Sequence, residues 1–252
     1  MAIWDDPQTR TERSGFTAAT VGVPRATRDA GLRSYMLSVY NYMASGVLLT
    51  GIVAMLLVNS PLIQLVFDPA TGRPTLLPII AMFVAFGVGI WLQAGIMRMA
   101  LSTAKALFFI YAALLGVALS TIFIAYTGVS IAQTFFAVAA AFAGLSLWGY
   151  TTKRDLSGWG SFLIMGLWGL IAAMIINLVF VRSGAFELAI SAIGVLIFAG
   201  LTAYYNQTIK SIYLMARGTE AAMRFGILGA FQLYLAFVNM FVFLLNFTGQ
   251  RR

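Results

Sequence analysis

Polar side chains that could do chemistry inside an apolar protein recur near the end of this chain. Gln232, Ala236 and Asn239 are spaced so that they share one face of a helix, and Ala236 interrupts the polar stripe. A second polar group lies upstream, at the end of the preceding apolar run. Together the two groups predict either an inward-facing polar pocket or interhelical hydrogen bonds of about 0.6 kcal/mol each, and we favour the hydrogen bonds. The candidate positions are Tyr205, Asn206, Gln207, Gln232, Ala236 and Asn239.

The residue types on which most enzyme sites depend are missing. The chain has no Cys and no His, which excludes disulfides, thiolate zinc sites and a Ser-His-Asp triad. Its long apolar runs contain no Asp, Glu, Lys or Arg, although an ionisable residue inside a membrane is the usual pointer to function. We therefore expect no catalytic residue, no metal site and no cofactor, and we do not expect an enzyme.

Composition places these residues in a membrane. Of the 252 residues, 61% are hydrophobic and 10% are charged, whereas soluble domains carry about 25% charged residues. In a soluble protein the net charge of +8 would point to nucleic acid. In a membrane protein an excess of Lys and Arg marks the cytoplasmic face, so we expect no nucleic acid partner.

Seven apolar runs approach or exceed the length of about 20 residues that a helix needs to cross a bilayer. The predicted fold class is an all-α integral membrane protein with seven transmembrane helices. Residues 1–34 are expected to form a polar cytoplasmic tail, residues 35–247 the bundle and residues 248–252 a short C-terminal tail. The runs are Tyr35–Val58, Leu76–Met97, Ala106–Tyr126, Ile131–Tyr150, Gly160–Phe180, Leu188–Tyr205 and Ile227–Phe247.

Basic residues predict the orientation, because Lys and Arg are retained on the cytoplasmic side. Twelve of the sixteen lie in the N-terminal tail or in the second, fourth and sixth connections, and four lie on the other side. This distribution predicts a cytoplasmic N-terminus, an external C-terminus and a bacterial inner membrane location. Anionic lipid headgroups are the expected partners of Lys153, Arg154, Lys210, Arg217 and Arg224.

Three local features concern helix ends and helix contacts. Arg98 ends the second run and is either a latch onto a neighbouring helix or a side chain that snorkels to lipid phosphate. Residues 210–224 predict a short amphipathic segment, in which Gly218 is a helix stop. Small residues that let helix backbones approach are Ala112, Gly116 and Ser120 in the third run, and Ala140 and Gly144 in the fourth.

Four segments of the chain carry a family resemblance. They are FFIYAALLGVALS (Phe108–Ser120), KRDLS (Lys153–Ser157), TAYYNQTIK (Thr202–Lys210) and LYLAFVNMF (Leu233–Phe241). With them the chain resembles the Bax inhibitor-1 family, also called transmembrane Bax inhibitor motif proteins. The resemblance covers nearly everything after the N-terminal tail, and it implies six helices packed around a central hydrophobic seventh.

The resemblance also implies a function and shows where this chain departs from it. Family members are associated with a pH-sensitive calcium leak, built on two aspartates that share a proton and latch the sixth helix to the seventh. The family patterns Tyr-Asp-Thr-Gln and Leu-Tyr-Leu-Asp-Phe stand here as Tyr204–Gln207 (YYNQ) and Leu233–Phe237 (LYLAF). Tyr205 and Ala236 thus replace the pair, and without coupled carboxylates the proton switch is lost.

Two functions follow as alternatives. The first is a non-enzymatic accessory or regulatory subunit that contacts another membrane protein or complex, because the scaffold is kept while its titratable core is not. The second is a calcium or cation leak, weakened or switched off by the loss of the aspartates, in which neutral oxygens replace carboxylates. Under either alternative we expect the Tyr205 hydroxyl to donate to Gln232 or Asn239.

Overall fold

Seven long helices account for most of the chain. The computed structural model describes residues 25–69, 71, 73–216 and 218–251, and seven of its helices are long and apolar enough to cross a membrane. The predicted all-α, multi-pass membrane fold is confirmed. The elements are α1 (Arg25–Val58), α2 (Ile63–Val66), β1 (Phe67–Asp68), β2 (Arg73–Pro74), α3 (Leu77–Gly95), α4 (Leu101–Ala125), α5 (Gly128–Thr151), α6 (Ser157–Ile176) with a π-helical turn (Asn177–Val181), α7 (Gly184–Ala216) and α8 (Glu220–Thr248).

Each predicted run overlaps one long helix, but two helices extend well beyond their runs. Helix α1 is described from Arg25, so residues 25–34 of the predicted tail are helical, and residues 1–24 lie outside the described residues. Helix α7 continues past Tyr205 to Ala216. Hydropathy marks only the part of a helix that lies in hydrocarbon, whereas the backbone hydrogen bonds of the helix continue into polar surroundings.

The predicted amphipathic segment at residues 210–224 is therefore wrong as a separate element. Its first part, through Ala216, belongs to α7, and its last part, from Glu220, belongs to α8. The predicted stop is confirmed, because Gly218 has φ +80, a left-handed backbone conformation that favours glycine.

The connections define two ends of the bundle. At one end the Tyr35 hydroxyl of α1 donates to the Ala222 carbonyl (3.1 Å), and the Arg224 guanidinium donates to the Met97 carbonyl (2.6 Å). We call this end, which also holds the α5–α6 connection, the basic end. At the opposite end the Thr127 N–H donates to the Gln250 carbonyl (3.2 Å). Helix α8 thus crosses the whole bundle.

Between α2 and α3, the strands β1 and β2 form a minimal antiparallel hairpin.

Helix α8 is the most buried of the seven spans. In its most apolar 18-residue stretch 61% of the residues are buried, against 6% in α6. It packs against α7, α1, α5 and α4, whereas α3 packs mainly on α4 and α6 mainly on α7. The core therefore follows α8, and α3 and α6 lie at the periphery.

Candidate functional site

The six candidate positions do not form one polar cluster. Tyr205, Asn206 and Gln207 are consecutive in α7, and successive residues of a helix point in directions about 100° apart. Asn206 and Gln207 accordingly form hydrogen bonds with different elements, and the Tyr205 ring packs on Tyr204. The predicted pocket is therefore not a single site.

Asn206 lies at the centre of a buried hydrogen-bond cluster that joins three helices. Its side chain is fully buried. The Tyr40 hydroxyl of α1 donates to Asn206 Oδ1 (2.5 Å), and Asn206 Nδ2 donates to Ser146 Oγ of α5 (3.1 Å) and to the Thr202 carbonyl (2.8 Å). Both amide hydrogens and the amide oxygen have partners, so the interhelical hydrogen bonds that we favoured are present here.

Gln207 faces the α5–α6 connection. Its Oε1 accepts from the Leu156 N–H (2.8 Å) and its Nε2 donates to the Arg154 carbonyl (2.7 Å). One turn further along α7, Lys210 Nζ donates to the Tyr150 carbonyl (2.8 Å) and lies 4.9 Å from the centroid of the Tyr150 ring. These contacts attach the end of α7 to α5 and to the loop after it.

The α8 positions of the predicted pocket contribute little polar chemistry. Ala236 is 1% exposed, and Asn239 Nδ2 donates to the Leu235 carbonyl of its own helix (2.8 Å). Tyr205 is half-buried and its ring packs on Tyr204, with the centroids 5.6 Å apart. Within the described residues its hydroxyl has no hydrogen bond to Gln232 or Asn239, so that predicted pairing is wrong.

A second buried cluster was not predicted at all. The single hydroxyl hydrogen of Thr50 on α1 has two carbonyl acceptors within reach, Gly46 (3.0 Å) and Ala112 (2.9 Å), and the Thr50 oxygen lies 2.6 Å from the Tyr234 hydroxyl of α8. The Tyr234 ring is fully buried and meets Phe108 edge to face. A tyrosine and a threonine within otherwise apolar runs were the only available signal, and neither identifies its partner.

Arg98 is not a latch. Its side chain is exposed, which agrees with a snorkelling arginine, and it has no side-chain hydrogen bond or ion pair within the described residues. The contact that joins the α3–α4 and α7–α8 connections comes instead from Arg224, which also forms an ion pair with Glu220 (2.8 Å). Lys153 and Arg154 are exposed on the α5–α6 loop, and Arg217 lies outside the described residues.

A lateral groove opens beside the Asn206 cluster. Helix α1 packs chiefly against α4 and α8, and α5 packs chiefly against α7 and α8, so that α1 and α5 remain apart. Two cavities of about 520 and 500 Å³ occupy the gap. They share Met43, Ala44 and Phe142, and Phe237 of α8 lines the deeper one, so the groove is continuous. We call it the α1–α5 groove.

The described spans hold no carboxylate away from their ends. Asp68 and Asp155 lie in connections, Glu187 lies in the first turn of α7, and Glu220 is the first residue of α8. No group of three or more His, Cys, Asp or Glu side chains that could hold a metal occurs in the described residues. The site can therefore supply neutral hydrogen-bond donors and acceptors, but no buried pair of carboxylates in the part of the chain that the structure describes.

Comparison with known proteins extends the resemblance over the whole bundle. Residues 32–252 match the sequence model of the family described as "Inhibitor of apoptosis-promoting Bax1". The chain is 45% identical to the uncharacterized protein RP147 of Rickettsia prowazekii over 227 residues, 90% of this chain and 93% of the relative. It is 43% identical to the inner membrane protein YbhL of Escherichia coli over 226 residues, 88% of this chain and 94% of the relative.

Proposed function

The chain belongs to the Bax inhibitor-1 family, and we propose that it acts in the bacterial inner membrane as a non-enzymatic accessory or regulatory subunit that contacts another membrane protein. The observation that carries the proposal is the closed interior around α8. At the position of the second family aspartate Ala236 is buried, and its neighbours Leu233 and Tyr234 are completely shielded. A pathway for ions needs a continuous polar lining or groups that carry charge, whereas the polar groups along α8 are few and neutral, and the Tyr234 hydroxyl is held by Thr50.

The outward surface of α6 is the best candidate for contact with a partner. We define it by Phe162, Met165, Trp168, Gly169 and Ala172, which are all exposed. A Cβ atom added at Gly169 would meet nothing within 4 Å. Because small residues let a partner helix approach closely, and because α6 packs mainly on α7, this surface can accept another helix without disturbing the bundle.

The proposal includes an orientation. The E. coli relative is named an inner membrane protein, and most of the basic residues lie at the basic end. We infer that this end faces the cytoplasm, with the C-terminus outside. Lys153 and Arg154 are free to contact anionic headgroups, whereas Lys210 and Arg224 also hold the bundle together through backbone carbonyls. Cysteine accessibility at Arg154→Cys and Gln250→Cys, two exposed positions at opposite ends of the bundle, measures this orientation in intact cells.

Site-specific photocrosslinking tests the partner. A photoreactive phenylalanine analogue at Trp168, on the outward surface of α6, is expected to give one defined adduct in native membranes. The matched control is Phe86 on α3, which is exposed to a similar degree (67% against 69% for Trp168) on the other side of the bundle. An adduct from Trp168 alone, recovered again when the captured protein carries the tag, supports the proposal. The proposal is contradicted if Trp168 gives no adduct and the protein also purifies without a partner in every mild detergent.

The alternative, a cation leak, is favoured by the Asn206 cluster, which places neutral oxygens between α1, α5 and α7. Neutral oxygens can pass cations but bind calcium weakly. Calcium flux into liposomes that hold the purified protein separates the two functions between about pH 6 and pH 8. Flux through the unaltered protein favours the leak. If the unaltered protein gives no calcium flux and Tyr205→Asp/Ala236→Asp gives pH-dependent flux, the fold can form a pathway but lacks the carboxyl groups that would control it.

A further inference from the structure

The α1–α5 groove has the depth and length of a site for one lipid chain. Between Arg33 and Ala44, α1 rises about 16 Å, which is about half of the hydrocarbon thickness of a bilayer. Both residues line the cavity nearer the basic end. A groove open to the side at this depth is in contact with lipid, since most of the side chains that line it are apolar.

The mouth of the groove carries positive charge. Arg33 on α1 is exposed and has no ion pair among the side chains that the structure describes. On the other wall Tyr150 is contacted by Lys210, whose ammonium group uses one donor on the Tyr150 carbonyl and has further donors. From residue 30 onward the acidic side chains lie elsewhere: Asp155 accepts from Ser157, Glu187 and Glu220 pair with arginines, and Asp68 lies beyond α2. The sequence places Asp29 one helical turn before Arg33 on α1, where the two cations Arg33 and Lys210 outnumber it. The mouth is thus suited to an anion.

A polar group just below the mouth suits the glycerol region of a lipid. Ser146 lies one helical turn from Tyr150 and lines the same cavity. Its Oγ accepts from Asn206, and the described residues offer no acceptor for its own hydroxyl hydrogen. An ester carbonyl at this depth would accept that hydrogen.

From these features we propose that the α1–α5 groove binds one anionic phospholipid of the leaflet at the basic end. One acyl chain lies between α1 and α5 on Met36 and Met43, an ester carbonyl accepts from Ser146, and the phosphate lies at Arg33. The site is distinct from the surface of α6 and does not depend on the proposed accessory function.

Native mass spectrometry of the full chain in mixed micelles tests this site. The probes are phosphatidylglycerol, which is anionic, and phosphatidylcholine, which has no net charge. We expect the unaltered protein to retain one phosphatidylglycerol in preference to phosphatidylcholine. Arg33→Gln should weaken phosphatidylglycerol binding by about fivefold. Arg98→Gln removes an exposed arginine of the same end that does not line the groove, and it should change little.

A second pair of variants tests the groove itself. Ala143→Phe places a ring in the groove and should abolish retention of the lipid, whereas Ala141→Phe, two residues away on the exposed face of α5, should not. Leu37→Trp fills the groove from the α1 wall and should also abolish retention of the lipid. Loss in both variants would show that the effect does not come from a folding defect of Ala143→Phe alone. Three results would overturn the proposal: no lipid retained by the unaltered protein, equal retention of the two lipids, or equal retention by Ala143→Phe and Ala141→Phe.

Discussion

The α7–α8 interface and the α1–α5 groove lie on two sides of the same central helix, and both involve small residues, yet one is closed and the other is open. In the interface a glycine of one helix meets a large side chain of the other. A Cβ added at Gly194 would lie 2.7 Å from the Phe243 ring, and one added at Gly229 would lie 2.7 Å from Ile209. The large side chain fills the space that the glycine leaves.

In the groove small residues are found on both walls. Ala44 and Gly51 belong to α1, Ala139 and Ala143 belong to α5, and a Cβ added at Gly51 would meet nothing within 4 Å. No large side chain fills the space between them. Small residues therefore bring helices together only where the opposite helix supplies the volume, and otherwise they leave a space for lipid.

The largest effect is expected from a charge placed in the closed region. Ala236→Asp would bury a carboxyl group without a partner and should lower the free energy of unfolding by about 3–5 kcal/mol. Denaturation in mixed micelles measures the loss, with Ala236→Asn as an uncharged control of the same size as aspartate. Adding Tyr205→Asp should recover part of the loss if the two carboxyl groups share a proton. Unchanged stability of Ala236→Asp would show that the region around α8 is not dry.

The comparison is sharpened by making the same substitution in both regions. Gly194→Leu forces a side chain against Phe243, which is held by stacking on Phe198 at 5.9 Å between centroids, and should cost about 1–3 kcal/mol. Gly51→Leu enters the open groove and should cost much less. Unfolding of both variants in the same micelles gives the difference. Equal losses would mean that the groove is closed in the membrane.

A smaller effect is expected at the hydrogen bond between α1 and α7, which lies beside the groove at the basic end. Tyr40→Phe removes the donor to Asn206 Oδ1 and should lower the free energy of unfolding by about 0.6–1.7 kcal/mol, from the average to the largest value for hydrogen bonds between membrane helices. Tyr42→Phe on the same helix is the control, because the Tyr42 hydroxyl has no hydrogen bond within the described residues. If both variants unfold alike, the Asn206 cluster does not join α1 to α5.

The smallest effect lies outside the membrane, beyond both regions. The side chain and backbone N–H of Ser157 donate to Asp155, and these bonds hold the pKa of the Asp155 carboxyl below its ordinary value. A lowered pKa in the folded state stabilises the first turn of α6 at neutral pH, and the benefit is lost as the pH falls through the folded pKa. The amide protection factors in that turn, which are corrected for the pH dependence of intrinsic exchange, should fall on acidification. Ser157→Ala should remove most of this change without opening the groove.

Sequence reasoning succeeded where one physical rule dominates. Hydrocarbon excludes charge, so the charge-free runs located all seven spans. The rule does not apply to the parts of a helix outside hydrocarbon, so it did not locate the ends of α1 at Arg25 and α7 at Ala216. It failed where a feature depends on tertiary partners. The stripe of Ala112, Gly116 and Ser120 is buried, with Gly116 close to the Thr50 carbonyl, but the similar stripe of Ala140 and Gly144 is exposed.

The candidate site was less predictable than the fold for a related reason. Asn206 was named, but Tyr40 and Ser146 lie 166 and 60 residues away in the chain, and no local pattern links them. One signal was available on α5, where Ser130, Thr134, Val138, Phe142 and Ser146 recur every four residues and are all buried. This stripe, and not the one formed by the small residues, marks the inward face of α5.

The central position of α8 has a consequence for biosynthesis. A ribosome makes α8 (Glu220–Thr248) after the six other spans that the structure describes. Helices α1, α4, α5 and α7 therefore emerge before the helix on which they pack. Until then Phe198 and Ile209 of α7 lack their α8 partners and face lipid or the insertion machinery. Packing onto α8 therefore comes last among the described spans, and a nascent chain that stalls before α8 emerges would leave these faces without their protein partner.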